Sequence, residues 1–289
     1  MITLLTWNIQ NGLAVDGTRS LARVVRQIEA HGTPDIICLQ EVSRGVTLDP
    51  GVAAPDQVAE LSEMLPEHAP YFGPAYDILN PLHGQRAQYG NLILSRLPVL
   101  ASANHPLPQP PRAGKRQMPR QAIAVTIMCE DGPLRIMTSH LEFNSGGQRR
   151  AQIEAIKSIH AAGSALAANP PAAGTGGPYQ TICHASRAII CGDFNCLPDS
   201  DDYHALTGVP LVPGDGLIDS WRALHSDKPH PPSCGIFDHK QWPQGAHCRD
   251  YFVLSDSLIG AIVRAETDCA TDASDHQPLL LTLQLNCPG

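Results

Sequence analysis

Polar residues stand at the ends of apolar, strand-like runs along most of this sequence. They include carboxylates, histidines and asparagines, the side chains that bind metals and move protons. The set comprises Asn8, Glu41, His140, Asp193, Asn195, Asp250, Asp275 and His276. Because strand ends at one rim of a sheet converge in space, we expect these groups to form one charged pocket above an apolar core.

Three members of the set would suit a hard divalent cation. The side-chain oxygens of Asn8, Glu41 and Asp275 are good ligands for Mg²⁺ or Mn²⁺ and poor ones for zinc. Mg²⁺ keeps several waters and needs few protein carboxylates when substrate phosphate oxygens complete its shell. The sequence therefore predicts a magnesium site that also receives a phosphate group.

The remaining members fit the hydrolysis of a phosphoester. Asp193 is the candidate base for an attacking water. Three further groups are candidates for contacts with phosphoryl oxygens: His140, His276 and Asn195. Asp250 is placed to orient one of the histidines.

Each motif alone also has a purely structural interpretation. Asn8 would simply end a strand, 192–195 would form a turn, and 274–276 would form a capped loop. For any one of them this interpretation is at least as good, since single motifs mislead. The whole set in this order favours a site.

Hydrophobic periodicity predicts the elements that carry these residues. Helical spacing indicates helices over 21–32, 56–66 and 148–168, with caps offered at 16–18, and a short helix after Pro198. Asp131-Gly132 lies between two alternating runs and predicts a hairpin. The predicted strands are 2–8, 35–42, two runs within 89–102, 122–129, 134–142, 187–195, 247–255, 258–267 and 277–285.

This order of elements predicts an α/β fold in which two sheets pack face to face with helices outside. The chain has 289 residues, with no internal repeat and no linker that would divide it, so we expect one domain over 1–289. No apolar run reaches 18 residues, so no membrane span is expected. The nine cysteines are scattered without a CxxC pair, which argues against a disulfide framework and favours the cytoplasm.

The formal net charge of −8 argues against binding of nucleic acid by bulk electrostatics. It does not exclude a nuclease, because a bound cation supplies positive charge where the phosphate lies. One basic cluster stands out, and it is either a solvated loop or a set of phosphate contacts. Its members are Arg112, Lys115, Arg116 and Arg120.

Taken together, several segments resemble the motif series of the endonuclease/exonuclease/phosphatase family. They span residues 6–278 in the family's order and read TWNIQ, LQEV, YGNLILSR, TSHLE, GDFN, CRDYFVLS and SDHQP. The resemblance implies a DNase I-like four-layer α/β/β/α sandwich of two mixed sheets flanked by helices. It also implies a Mg²⁺-dependent phosphoesterase, with Mn²⁺ as an alternative ion.

The resemblance further implies individual roles. Asn8 and Glu41 would hold the metal, Glu41 directly. Asp275 would support the metal and orient His276, which stabilises the transition state. Asp250 would pair with a histidine or support a second metal position.

Around the phosphate, the resemblance implies contact from His140, polarisation of the nucleophilic water by Asp193, and positioning by Asn195. Tyr89 matches a phosphate-proximal aromatic that part of the family has, and Asn91 is as well explained by structure.

Substrate is the least defined part of the prediction. A nucleic-acid phosphodiesterase, nuclease-like or tyrosyl-DNA phosphodiesterase-like, is the first hypothesis. A phosphoesterase for a phospholipid, sphingomyelin or an inositol phosphate is the alternative, and a catalytically silent binding module is the third. Selectivity would depend on the loops at 44–56, 77–88, 104–120 and 226–246. Trp221 and Trp242 are expected to be packing residues, and the alternative is that they line the pocket and stack on a base.

Overall fold

The computed structural model describes residues 1–49, 54–81, 84–114, 116–208 and 216–288. In these ranges the strands are β1 (Ile2–Asn8), β2 (Ile36–Arg44), β3 (Ala69–Leu79), β4 (Arg86–Ser95), β5 (Val99–Pro106), β6 (Gln121–Cys129), β7 (Gly132–His140), β8 (Arg187–Asp193), β9 (Leu217–Asp219), β10 (Asp250–Ser255), β11 (Ile262–Thr267) and β12 (Leu279–Leu283). The helices are α1 (Leu21–Ala30), α2 (Gln57–Met64), α3 (Gly146–Ala168), α4 (Asp201–Thr207) and α5 (Ser220–Leu224). Short 3₁₀ helices cover Gln10–Gly12 and Asp256–Ala261.

The strands form two six-stranded sheets, in the orders β11-β12-β1-β2-β4-β3 and β5-β6-β7-β8-β10-β9. Each sheet is mixed, because β1 pairs with β2 and β7 pairs with β8 in parallel. The other named pairs are antiparallel, as in β8 with β10. The two parallel pairs direct the ends of β1, β2, β7 and β8 to the same rim.

Apolar side chains hold four layers together. The core between the sheets includes Leu4 and Ile36 from one sheet and Ile136 and Ile189 from the other. On the outer faces, α1 and α2 pack on the first sheet, and α3 and α4 pack on the second. This is the predicted α/β/β/α sandwich, with helices on both outer faces.

Helix α1 shows how the sequence produces one of these layers. Leu21, Val24, Val25 and Ile28 recur at helical spacing and are buried against the sheet. The helix begins after Ser20, whose side chain accepts a hydrogen bond from the backbone N–H of Arg23. The predicted caps at 16–18 were therefore placed too early.

The pattern also missed elements. Strand β3 contains two prolines and a glycine (APYFGPAYDIL) and lacks alternation, and β9 and α5 are only three and five residues long. The predicted hairpin is confirmed, with Glu130 and Asp131 in the turn between Cys129 and Gly132.

Two further findings concern cysteines and membranes. A disulfide joins Cys129 to Cys287, a pairing that the scattered cysteines did not predict. The other seven cysteines are free. In the described part of the chain, no helix has the length and hydrophobicity needed to cross a bilayer.

Candidate active site

Strand register brings the predicted residues to one rim. In the first sheet Asn8 lies beside Gln40, at the end of the parallel pair β1 and β2. In the second sheet His140 pairs with Asp193, and Asp193 pairs in turn with Asp250. The side chain of Gln40 joins the sheets below the pocket, because it donates to Thr138 Oγ1 at 2.8 Å across the core.

Two of the polar residues adopt left-handed backbone conformations. Glu41 has φ of 60° and Asn195 has φ of 50°, values that are uncommon for residues other than glycine. Glu41 lies where the pairing of β2 with β4 shifts register between Leu39 and Val42. An irregularity of this kind changes the direction in which a side chain points. Strand β2 does not end at Glu41, as predicted, but continues to Arg44. Strained backbone of this type is concentrated at functional sites.

Four buried groups form the centre of the pocket. His276 Nδ1 donates to Asp250 Oδ2 at 2.8 Å, and its Nε2 lies 3.6 Å from Asp193 Oδ2. The same Asp193 oxygen lies 3.3 Å from His140 Nε2. Asp193 therefore faces both histidines. This is the position expected of a base next to a phosphate that the two histidines contact.

These groups change one another's protonation. Burial lowers the pKa of His276, but the carboxylates of Asp250, Asp193 and Asp275 outweigh it and raise that pKa well above its ordinary value. Burial and the charge of Arg120 lower the pKa of His140 well below its ordinary value. The two imidazoles are thus shifted in opposite directions, His276 towards its cationic form and His140 towards its neutral form.

The pKa of Asp193 is raised above its ordinary value. Burial is the main cause and the charge of Asp250 adds to it, against the opposing effect of His276. The backbone N–H of Asn195 donates to Asp193 Oδ1 at 2.9 Å and the Asn8 amide donates to Oδ2 at 3.1 Å. A carboxylate with a raised pKa is a stronger base, and these hydrogen bonds fix its direction.

Glu41 and Asp275 could supply hard oxygen ligands for a cation. Burial and the charge of Asp275 raise the pKa of Glu41. Two carboxylates that repel each other in a buried pocket are relieved by a bound divalent cation, and Asn8 adds an amide beside Glu41 at 3.2 Å. This donor set fits Mg²⁺ or Mn²⁺. A second group of side chains that could hold a metal ion consists of Asp193, Asp250 and His276. Each offers one ligand atom, and these three atoms lie within 4.8 Å of one another.

Tyr89 and Arg120 lie beside Glu41. The ring of Tyr89 stacks on Tyr76 with centroids 5.8 Å apart, and burial together with the charge of Glu41 raises its hydroxyl pKa well above its ordinary value. Arg120 is only 6% exposed and lies 3.7 Å from Glu142. That distance joins its Nε to Glu142 Oε2, so the guanidinium is paired with a buried carboxylate, although Nε has no partner within hydrogen-bond distance among the described residues.

The structure does not bring the rest of the basic cluster into the pocket. Arg112 is exposed and donates to Ser145 Oγ at 3.0 Å, and Arg116 is exposed as well. Lys115 lies outside the described residues. Asn91 is buried and donates to the backbone carbonyl of Gln121 at 3.3 Å, which is a structural role.

Several residues that sequence reasoning did not select complete the site. Trp242 Nε1 donates to Asp275 Oδ2 at 3.1 Å, and Gln241 Nε2 donates to the same oxygen at 2.9 Å. Ser233 donates to Asp250 Oδ2 at 2.6 Å. All three belong to the proline-rich segment 226–246. This segment has no hydrophobic periodicity, so Trp242 was the only feature in its sequence that indicated a part in the site.

These residues enclose a pocket of about 120 Å³. Its lining includes seven of the eight predicted polar residues, and the eighth, Asp250, lies behind His276. The described lining consists of Asn8, Glu41, Met118, Arg120, His140, Phe143, Asp193, Asn195, Gln241, Trp242, Asp275 and His276.

Trp242 gives a test of how Asp275 is held. Trp242→Phe keeps an aromatic ring but removes the N–H that donates to Asp275 Oδ2. We expect the Mg²⁺ concentration for half-maximal activity, or for half-maximal Mg²⁺ binding, to rise roughly tenfold. This is a typical cost of losing a hydrogen bond to a metal ligand. Trp221→Phe is the matched control, since Trp221 Nε1 donates to Lys228 O at 3.3 Å outside the pocket. An unchanged metal requirement in Trp242→Phe would show that Asp275 needs no such support.

Two facing mixed sheets with this carboxylate, histidine and asparagine rim define a protein of the DNase I-like α/β class. The sequence model of the endonuclease/exonuclease/phosphatase family matches residues 5–134 and 149–276. The chain therefore belongs to this family, whose members are generally phosphoesterases that use divalent metals. No curated protein matches the chain in sequence.

Solved structures of low sequence identity share the fold. An endonuclease/exonuclease/phosphatase from Beutenbergia cavernae has a TM-score of 0.69 at 21% identity, over 99% of this chain and 72% of that one. A mannosyl-6-phosphatase from Bacteroides thetaiotaomicron has 0.66 at 17%, over 98% and 99%. The catalytic domain of human nocturnin, with a bound sulfate, has 0.61 at 22%, over 99% and 94%.

Proposed function

We propose that this chain, as one domain over 1–289, is a Mg²⁺-dependent phosphodiesterase that hydrolyses a P–O bond by in-line attack of water. The observation that carries the proposal is the position of Asp193. Its carboxylate faces both histidines, and it lies in the same pocket as the two carboxylates of the candidate metal site. A water-activating base, a metal site and phosphate contacts are the parts that such a reaction needs.

In the proposed reaction, Asp193 accepts a proton from water while the water oxygen forms a bond to phosphorus. The P–O bond to the leaving alkoxide breaks on the opposite side, and the alkoxide gains a proton. His276, whose cationic form is favoured by Asp250, stabilises the negative charge on the phosphoryl oxygens, and His140, whose neutral form is favoured, donates a hydrogen bond to one of them. Asn195 positions the water or the phosphate.

The metal would be held by Glu41 and Asp275 with Asn8 beside them, and it would supply positive charge to the phosphate. Tyr89 would fix the direction of the Glu41 carboxylate. Arg120, which lines the pocket and is paired with Glu142, would supply positive charge close to a phosphoryl oxygen. Mn²⁺ is expected to substitute, because it accepts the same oxygen ligands.

For substrate we propose nucleic acid. A half-exposed aromatic ring, Phe143, and a partly exposed arginine, Arg249, lie at the edge of the pocket, and bases and phosphates are recognised by such side chains. Arg112 and Arg116, which do not line the pocket, would contribute only as outer contacts to the backbone, and Lys115 stays a candidate contact from the sequence. Hydrolysis of plasmid DNA, a 5′-tyrosyl oligonucleotide, sphingomyelin and an inositol polyphosphate, measured side by side, tests this choice. Preferential turnover of either of the last two would reject it.

The metal assignment predicts the behaviour of Glu41→Gln. The glutamine amide keeps the shape of the carboxylate but loses its charge. Because Mg²⁺ relies on few carboxylates, we expect the Mg²⁺ concentration for half-maximal hydrolysis of bis-p-nitrophenyl phosphate to rise roughly tenfold or more. Direct Mn²⁺ binding, followed by electron paramagnetic resonance, should weaken in parallel. Glu154→Gln, an exposed position on α3, is the control. Identical metal titrations for wild type and Glu41→Gln would move the ligand elsewhere.

We further propose the cytoplasm as the compartment. Seven of the nine cysteines are free thiols, as is usual in a reducing environment, and the disulfide between Cys129 and Cys287 is the one observation in the opposite direction. Counting titratable thiols in protein isolated under rapid alkylation tests the proposal. Nine alkylated cysteines would support it, and seven would contradict it.

A further inference from the structure

An open groove of about 700 Å³ lies next to the catalytic pocket. Phe143 and Asn195 line both the groove and the pocket, so the two are continuous. A substrate whose phosphorus lies at Asp193 can therefore extend into this groove. Its charged lining residues are Arg149, Arg150 and Arg249 together with Asp201 and Asp202.

The groove has more positive charge than the protein as a whole. Three arginines line it against two aspartates, whereas the chain has a net charge of −8. Asp202 is already engaged, since it accepts from Arg149 Nε at 2.7 Å and from Arg150 Nε at 3.0 Å. Arg249 has no ion-pair partner among the described residues and is the arginine next to the catalytic groups.

The guanidinium of Arg249 is fixed in position. Its Nε donates to His247 Nε2 at 2.8 Å and its Nη1 donates to Asn195 O at 3.2 Å. It lies 5.3 Å from the ring centroid of Phe143 and 5.0 Å from that of Trp242. Its Nη2 has no acceptor in the described part of the chain, so a partly exposed, pre-oriented donor remains for an anionic ligand.

Phe143 supplies a flat apolar surface at the same point. Its side chain is 47% exposed although it lies beside a charged pocket, and Leu197, across the groove, is 47% exposed as well. Exposed apolar side chains at the rim of a polar site commonly mark ligand contact. A nucleotide combines the two features that this surface fits, a planar base and a phosphate.

We propose that Phe143 and Arg249 form a subsite for the nucleotide adjacent to the scissile phosphate. Phe143 stacks on the base, and Arg249 Nη2 binds a non-scissile phosphate. The subsite rests on the proposed phosphodiesterase function and specifies its substrate as an oligonucleotide. The subsite would bind the ligand on one side of the reacting bond without contacting the reacting atoms. Arg249 and Phe143 are therefore determinants of specificity and not catalytic residues.

Two variants and two substrates test this subsite. Arg249→Gln and Phe143→Ala are each expected to lower kcat/KM for a short single-stranded oligonucleotide. We expect this loss to be at least tenfold larger than the loss of kcat/KM for bis-p-nitrophenyl phosphate, because that substrate is too small to reach the groove. For Arg249→Gln, the slope of log KM against log salt concentration should also decrease by about 0.7, the value of one phosphate contact on a single strand. Arg264→Gln, an exposed arginine on β11 outside the groove, is the matched control and should alter neither substrate.

Binding of a fluorescently labelled oligonucleotide, measured by anisotropy, tests the subsite without turnover. We expect about tenfold weaker binding to Arg249→Gln and to Phe143→Ala than to wild type. Equal losses on both substrates would overturn the subsite, because Arg249 would then act through the geometry of Trp242 and the pocket. Equal oligonucleotide binding by wild type and both variants would overturn it as well. Failure of the proposed function looks different: wild type would then hydrolyse neither substrate, whatever the binding results.

Discussion

Asp193→Asn is expected to lower kcat for phosphodiester hydrolysis by about 10³-fold, within the range that a positioned general base contributes. The amide has nearly the shape of the carboxylate but cannot accept the proton of the attacking water. Steady-state kinetics with bis-p-nitrophenyl phosphate at saturating Mg²⁺ measures the loss. Asp131→Asn, whose side chain is 75% exposed in the turn between β6 and β7, is the matched control and should keep full activity.

The stability of this variant separates catalysis from folding. Burial and the charge of Asp250 raise the pKa of Asp193, so its ionised form is unfavourable in the fold. Removal of that charge should leave Tm unchanged or raise it, as is common when a strained catalytic group is neutralised. Loss of activity together with a large fall in Tm would point to unfolding and away from a base, and wild-type turnover would assign the base to another residue.

Asp250→Asn is expected to produce the second-largest effect, a fall in kcat of about 10²-fold. Asp250 accepts from His276 Nδ1 at 2.8 Å, and its negative charge is the first of the effects that raise the pKa of that imidazole. Without the carboxylate less of His276 is cationic at neutral pH, so the developing charge on the phosphate is stabilised less. Asp256→Asn, at an exposed position that begins the 3₁₀ helix after β10, is the control.

The direction of the pH effect follows from the sign of the removed charge. A lost carboxylate disfavours the imidazolium, so the pKa of His276 falls and the ring deprotonates at lower pH than in wild type. NMR titration of the His276 ring in the metal-free protein measures this shift, and the basic limb of the rate profile should move in the same direction. A His276 titration identical to that of wild type would contradict the proposed role of Asp250.

The sequence alone predicted the four layers because their strands are strongly apolar and the main helices have helical periodicity. Asn8, His140 and Asp193 could be selected because each is the last residue of such a run, and because the whole ordered set favoured a site although any single member had a structural explanation. Parallel pairing of β1 with β2 and of β7 with β8 then fixes the rim at which they meet.

Other features have no local signal. Strand β3 is defined by its long pairing with β4, and its prolines conceal it in the sequence. The left-handed turn at Glu41 follows from the register of β2 against β4, which periodicity cannot supply. Trp242 and Arg249 reach the site only through tertiary contacts, with Asp275 and with Phe143 respectively, and the partner of Cys129 lies 158 residues away.

The basic cluster shows the limit of sequence proximity as evidence. Arg112, Arg116 and Arg120 lie close together in the chain, yet only Arg120 lines the pocket. It directly precedes β6, and the strand fixes where it points. Arg112 and Arg116 lie in the connecting loop, where nothing in the sequence determines their direction.

The most direct test of the central claim is a metal titration of bis-p-nitrophenyl phosphate hydrolysis by wild-type protein stripped with EDTA. We predict no turnover in the stripped protein and a saturable return of activity as Mg²⁺ or Mn²⁺ is added, because in the proposed mechanism Glu41 and Asp275 would hold the cation that the phosphate requires. Full turnover in EDTA, or none at any metal concentration in protein shown to bind the metal, would contradict the assignment of a metal-dependent phosphodiesterase.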